Sequence, residues 1–250
     1  MKAKSYFALP AFCYLRSALT VVAVAVAGLA LAAAPARAVT SASSGLWAGL
    51  VTAGGGYTSV TADVTVPRVT ALCGANSNVV AFVGLGGWSG LPFVQNGFTV
   101  TPKGMGVWSE VFDKSGAGPV TSVSLPIRAG DKVRLSIAFS ADRSALVFGW
   151  NNLTLKRSVS RRVTNASRYY NGSTADFIVE RSWYPYRGAP LARFSPISFS
   201  NAKALRRGAW VPAYNSGSTK VTLQGARGNR IASVTSAAGT AFTASWAGCS

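Results

Sequence analysis

From Trp47 onward, apolar and polar residues alternate with a period of two, the signature of half-buried β-strands. Tyr57 to Val66 alternates and stops at Pro67, and Asn78 to Gly84 is a nearly continuous apolar run. Phe93 to Thr101, Gly106 to Phe112 and Val120 to Ile127 follow, separated by Gly, Pro and Ser turns. The turn Arg128-Ala129-Gly130-Asp131 leads into Lys132 to Ser140; Ala145 to Trp150 and Leu153 to Val159 come next. Further strands are expected over Thr174–Glu180, Phe194–Ser200, Lys220–Gln224, Ile231–Thr235 and Ala241–Trp246, with a brief helical turn over Asn201–Arg207. Short strands at this spacing, with no amphipathic helix, predict an all-β sandwich or barrel. In the segment Thr174–Glu180, Ala175, Phe177 and Val179 share one face, and Asp176, Ile178 and Glu180 share the other. One face can enter a core while the other presents two carboxylates from a chain that has only 7 acidic residues.

The N-terminus follows a different rule. Lys2, Lys4 and Arg16 precede an apolar run from Leu19 to Ala34, and Ala36-Arg37-Ala38 has the small-x-small form of a cleavage site. The run is short for a membrane span of about 20 residues. Residues 1–38 are therefore expected to be a signal peptide, 39–46 a short polar leader and 47–250 a single catalytic domain. The expected product is a secreted, extracellular monomer with no stable membrane association after cleavage. So short a leader leaves little room for a long propeptide.

Charge and composition narrow the chemistry. Without residues 1–38, 21 basic residues face 7 acidic ones, a net charge of +14 that favours anionic partners. The close pairs Lys156-Arg157, Arg161-Arg162 and Arg206-Arg207 build no long basic run, so the charge reads as surface character rather than a nucleic-acid site. Cys73 and Cys249 remain as an even pair, expected to form a disulfide in an oxidising compartment. Three Asn-x-Ser/Thr sites, at Asn152, Asn165 and Asn171, matter only in a host that glycosylates. The sequence contains no histidine, which excludes Ser-His-Asp and Cys-His catalysis and histidine metal sites. Neither a metal nor a cofactor is expected, and acid–base chemistry falls to carboxylates.

Three groups stand out: Asp176 with Glu180, the run Phe93-Val94-Gln95-Asn96-Gly97, and Trp108-Ser109-Glu110. A glutamine beside a glycine in a strand can act as a neutral donor and acceptor in a cleft. With these residues in place the chain resembles the glutamic peptidases, also called eqolisins or G1 peptidases. Leu46-Trp47-Ala48-Gly49 is similar to the family's Asn-Trp-Ala-Gly, and Phe82-Val83-Gly84-Leu85-Gly86-Gly87 to its Trp-Val-Gly-Ile-Asp-Gly. Val94-Gln95-Asn96-Gly97 resembles Leu-Gln-Thr-Gly, which carries the catalytic glutamine. Trp108-Ser109-Glu110 resembles Trp-Tyr-Glu, and Ala129-Gly130-Asp131 resembles the family's Ala-Gly-Asp turn. Ala175-Asp176-Phe177-Ile178-Val179-Glu180 resembles Ala-Glu-Trp-Ile-Val-Glu, which ends in the catalytic glutamate.

The resemblance implies a sandwich of two bent, antiparallel, seven-stranded sheets, a concanavalin-like jelly roll with a concave cleft. It implies Gln95 and Glu180 as catalytic residues, Glu110, Trp108, Phe82 and Trp47 near a polypeptide substrate, and Asp176 as a supporting group. An ordinary glutamate titrates near 4.3, so acidic conditions are expected unless burial raises that value. The chain departs from the family pattern at Gly86, Thr99, Phe82 and Asp176, which removes several accompanying carboxylates. Fold does not fix function. The rival readings are a carbohydrate-binding module stacking sugars on Trp88, Trp108, Trp150, Trp183, Tyr184 and Tyr186, and a basic envelope-associated protein.

Overall fold

A computed structural model of the chain describes residues 38–182 and 189–249. The described residues contain no α-helix; their principal strands form two curved sheets that are continuous at one place, and Val69–Ala71 pairs with Arg193–Phe194 in a separate two-stranded ribbon. The order in the first sheet is Thr40–Ser44, Ser218–Gln224, Trp47–Ala53, Thr174–Glu180, Val79–Gly87, Gly90–Thr101 and Gly104–Asp113. The second runs Arg157–Thr164, Ala145–Asn152, Lys132–Phe139, Tyr57–Thr65, Ile197–Arg206, Ala241–Trp246 and Arg230–Ala238. Both have the seven principal strands expected, and they join at one edge where Leu223 pairs with Ala232.

The core lies between the sheets. Leu50, Phe98 and Phe177 from the first sheet meet Phe148, Trp150 and Phe199 from the second, all essentially without exposed surface. Burying one such aromatic contributes about 2–3 kcal/mol, so Phe177→Ala should cost about 3–5 kcal/mol once its cavity is included. Two polar ties cross the same space. Asn96 Nδ2 donates to the carbonyls of Ser136 and Gly149 at 3.1 and 3.0 Å, and the Trp150 indole donates to the carbonyl of Gly97 at 3.3 Å. Cys73 and Cys249 form the expected disulfide, 176 positions apart in sequence and with Cα atoms 5.4 Å apart.

Several expectations need correction. The polar leader includes a strand, Thr40–Ser44, running parallel to Ser218–Gln224; the hydroxyls of Thr40 and Thr219 bond at 2.7 Å across it. Its polar alternation hid it, because an edge strand needs no apolar face. Asn201–Arg207 is no helical turn but the end of the strand Ile197–Arg206. A bulge between Ser200 and Lys203 breaks the period of two, with Asn201 at φ 50° and its amide donated to Asp63 at 2.7 Å. Residues 153–156 form a turn, because Asn152 Oδ1 accepts the amides of Thr154 and Leu155; the strand begins at Arg157. Only Thr121–Val123 of the 120–127 stretch is a strand. Asn152 itself is fully buried, which removes it as a glycosylation site. Trp150 belongs to the core rather than to a sugar platform, and Trp183, Tyr184 and Tyr186 lie outside the described residues.

Candidate active site

Thr174–Glu180 sits in the middle of the first sheet, between Trp47–Ala53 and Val79–Gly87. Its predicted faces separate as the alternation requires. Ala175, Phe177 and Val179 enter the main core, while Ile178 joins a second cluster on the opposite face. That cluster is the floor of the site. It holds Val51, Val80, Phe82, Phe93, Ile178 and Val221, flanked by the partly exposed Trp47, Trp88, Trp108 and Phe112.

Register brings the polar groups onto this floor. Asp176 lies opposite Gly84, Gly84 opposite Gln95, and Gln95 opposite Glu110, so one row crosses four strands. The parallel row through Ile178 contains Phe82, Gly97 and Trp108. Glu180 begins a third row, opposite Trp47 on one side and Val80 on the other. It is four residues from Asp176, about 13 Å along an extended strand. Strand register therefore does not make it Gln95's direct neighbour; its link to Gln95 runs through Glu110. Gln95 Nε2 donates to Glu110 Oε2 at 2.9 Å, and the Glu110 charge is felt at Glu180.

Glycines shape the floor. Gly97 is where Phe82 crosses, since a Cβ there would lie 2.7 Å from Phe82 Cβ and 2.3 Å from the Ala81 carbonyl oxygen. Gly84 leaves room for Phe93, whose Cε2 would stand 2.6 Å from an added Cβ. The ring of Phe93 thus occupies the space between Asp176 and Gln95. It also stacks on Phe112 at 5.3 Å and meets Trp47 at 5.9 Å.

This apolar setting governs the carboxyls. Burial pushes the pKa of Glu180 up to about 8; the Trp47 side chain opposes the shift with a hydrogen bond, and the Glu110 charge adds to it. Glu180 keeps some accessible surface as a residue, so its carboxyl is desolvated at the edge of the trough rather than sealed. Glu110 is also raised, by burial, with the Gln95 amide opposing. Asp176 has no exposed surface, and burial lifts it well above the usual carboxylate range. Thr174 and the Trp88 amide oppose that shift, yet neither Asp176 oxygen has a partner at hydrogen-bonding geometry; the Thr174 hydroxyl is given to the Gly86 carbonyl instead.

All seven residues expected from the sequence lie on this one face. Trp47, Phe82 and Trp108 are floor and wall, Gln95 and Glu110 are bonded to each other, Glu180 stands beside Trp47, and Asp176 lies beneath the aromatics. Four contributors were given no role of their own from the sequence. Phe93 and Phe112 occur two residues from Gln95 and Glu110, a spacing that places them on the same face, so the alternation held the signal. Thr99 stands where the family carries Asp, and it accepts the Trp108 indole at 2.9 Å. Asn96 ties the glutamine strand to the second sheet, a role that only tertiary structure reveals.

Comparisons with known proteins bear on the fold and the family. The fold is similar to that of scytalido-glutamic peptidase bound to a transition state analog inhibitor, at TM-score 0.70 and 22% identity over 81% of this chain and 98% of that one. It is similar to SCP-B, a member of the eqolisin family solved with the tripeptide Ala-Ile-His, at TM-score 0.64 and 21% identity over 81% and 98% of the two chains. Aspergilloglutamic peptidase from Aspergillus niger aligns at TM-score 0.59 and 19% identity, over 69% of this chain and 100% of that one. No curated protein sequence matches. The model of the Peptidase A4 family matches residues 45–246, a span that includes the Glu180, Gln95 and Glu110 strands. The chain belongs to the Peptidase A4 family, the glutamic peptidases or eqolisins, and is a hydrolase of peptide bonds.

Proposed function

We propose that this protein is a secreted endopeptidase in which Glu180 and Gln95 activate one water molecule against a polypeptide substrate. The observation that carries the reading is the Gln95–Glu110 hydrogen bond on the same aromatic-floored face as Glu180, close enough for the Glu110 charge to act on Glu180. Glu180, as its anion, takes a proton from water as the water oxygen attacks the scissile carbonyl carbon. The carbonyl oxygen gains the electron pair of its π bond. Gln95 has two amide hydrogens, one of them engaged by Glu110, and the other stabilises that oxyanion. Glu180 then returns its proton to the departing nitrogen as the C–N bond breaks. Glu110 is a positioning residue, because its hydrogen bond orients the amide. Asp176 supports the floor from below, and Trp47 and Trp108 contact the substrate; Phe82, expected beside the substrate, has no exposed surface and instead supports the Trp47 ring edge to face at 5.6 Å.

Secretion is supported by the charged and apolar N-terminal sequence and by the Cys73–Cys249 disulfide, which suits an oxidising compartment. The mature enzyme is read as a monomer free of the membrane. The acidic working range follows only for a carboxyl of ordinary pKa. With Glu180 at about 8, a base at this position gains activity as the pH rises toward that value. The test is peptide hydrolysis by Glu180→Gln and Gln95→Ala. Turnover near that of the unaltered enzyme in either variant removes the dyad; loss of about 10²–10³ in kcat for Gln95→Ala supports it.

A further inference from the structure

The outer face of the second sheet, turned away from the aromatic floor, gathers charge that the site does not use. Arg157–Thr164 is its edge strand, paired among the described residues with Ala145–Asn152 alone, so one row of its peptide groups is open. Register puts Arg162 opposite Val147, Ser160 in a row with Gly149 and Ser136, and Ser158 in a row with Asn151 and Arg134; Lys132 follows two residues beyond Arg134. These residues face away from the core that Val133, Leu135, Phe148 and Trp150 enter from the same strands. At the Lys132 end two turns meet, because the Lys132 amide donates to the Thr154 hydroxyl and its carbonyl accepts the Leu153 amide. The turns add Arg128, Lys156 and Arg157, so six exposed cations gather here. Two carboxyls lie among them, Asp63 and Asp131, and both are buried. Arg134 donates to Asp63 at 2.6 and 3.0 Å, and Lys132 adds its charge. Asp131 accepts the Arg128 backbone amide at 2.9 Å and the Asn152 side-chain amide at 2.8 Å. Asp142, in the hairpin at the other end, has its Oδ1 bonded to the Ser140 hydroxyl and the Ser144 amide. Lys156, Arg157 and Arg162 form no ion pair among the described residues, where Arg134 with Asp63 is the one salt bridge.

We infer that this face docks an anionic polysaccharide and leaves the first sheet's aromatic floor free. Such a polymer carries acid groups and many hydroxyls, and the surface answers both. The cations meet the acid groups; Ser136, Asn151, Ser158, Ser160 and the open strand edge meet the hydroxyls. Arg157 and Arg162 stand five residues apart, about 16 Å along an extended strand, so one polymer chain touches both while crossing the serines. The large hydrophobic residues that stand exposed, Leu72, Leu91, Met105, Val120 and Trp210, all lie off these three strands and their turns. The face therefore offers nothing to insert into a lipid surface and no ring on which an unpaired base could stack. The inference rests on the reading of the chain as secreted, where acidic polysaccharides are met, and not on the dyad.

The experiment measures binding of the full mature protein to polygalacturonate at low salt, with neutral dextran as the control polymer. Binding to polygalacturonate alone, released by 0.5 M salt, is the expected result. Each exposed charge contact contributes about two- to fivefold, so Lys156→Gln/Arg157→Gln/Arg162→Gln should weaken binding about tenfold or more. Lys103→Gln/Lys114→Gln/Arg227→Gln removes the same charge from turns outside this face and should weaken it less than about threefold. The charge-keeping swap Lys156→Arg/Arg157→Lys/Arg162→Lys should bind within about threefold of the unaltered protein. Thermal unfolding shows which variants are folded; if a triple variant is not, its single substitutions carry the same test at about two- to fivefold each. No binding to polygalacturonate overturns the inference. Equal weakening by the two neutralised triples also overturns it, because the charge then acts from the whole surface. If the loss at Lys156, Arg157 and Arg162 appears with double-stranded DNA and not with polygalacturonate, the face is a nucleic-acid surface and the inference fails.

Discussion

Replacing Glu180 with glutamine should abolish turnover and at the same time stabilise the protein in alkali. The group's pKa rises from an ordinary 4.5 to about 8 on folding, mainly through burial. Below 4.5 the carboxyl is protonated in both states, so its neutral form is accommodated in full. As the pH rises, the unfolded chain releases this proton first, and the folded state is penalised progressively until its own carboxyl ionises near 8. A shift from 4.5 to about 8 converts to about 5 kcal/mol at about 1.36 kcal/mol per unit. Partial exposure of the residue screens part of this, and about 2–3 kcal/mol is the expected penalty. Glutamine keeps the shape and the hydrogen bond with Trp47 but cannot ionise. Denaturant unfolding at pH 5 and pH 9 should therefore give a stability for Glu180→Gln close to that of the unaltered protein in acid and about 2–3 kcal/mol higher in alkali. Asp176 titrates in the same direction from a still more buried position, so a residual slope should persist until Asp176→Asn is added. Equal stability of Glu180→Gln and the parent at pH 9 would refute the reasoning, since it would mean that the carboxyl is solvated and ordinary.

The same titration sets the rate. In the peptidase reading, kcat/KM should fall about tenfold per pH unit below about 8, so a profile flat down to pH 4 would remove Glu180 as the free enzyme's base. Asn96→Leu should cost about 2–4 kcal/mol, because it leaves the carbonyls of Ser136 and Gly149 without their donor. It should also lower kcat by loosening the strand of Gln95; a stable variant of full activity would show that the tie is dispensable. Cys73→Ser with Cys249→Ser opens a loop of 176 residues and should lower stability by about 5 kcal/mol on chain-entropy grounds, or roughly 10–20 °C in Tm. Calorimetry of the reduced and oxidised forms reads it directly.

What the sequence disclosed and what it concealed follow from the reach of each interaction. Strand faces are local: a period of two in Thr174–Glu180 is enough to send Phe177 inward and Glu180 outward. The site chemistry was legible for a related reason. A chain with no histidine and 7 acids has few ways to hydrolyse an amide, and the motifs supplied the order. Three features were hidden because they depend on partners far away in sequence. The strand Thr40–Ser44 exists because Ser218–Gln224 offers it an edge, the bulge at Asn201 because Asp63 accepts its amide, and the anchoring of Asn96 because the second sheet presents two carbonyls.

The electrostatics lie between these limits, and they alter the chemistry most. Sequence alone gives Glu180 an ordinary pKa and an acidic working range. The structure surrounds the carboxyl with Trp47, Val80 and Ile178 and adds the charge of Glu110, which moves its titration to about 8. A desolvated carboxylate is a stronger base, and it is also a cost to the fold. The pair Glu180 and Glu110 therefore trades stability for basicity at one place. If that trade is real, Glu110→Gln should lower the kinetic pKa of Glu180 and weaken the orientation of Gln95 together, moving the rising limb of the pH profile toward acid while reducing its plateau. A plateau reduced with the limb unmoved would mean that Glu110 acts on the amide alone and that the two carboxyls do not share one field.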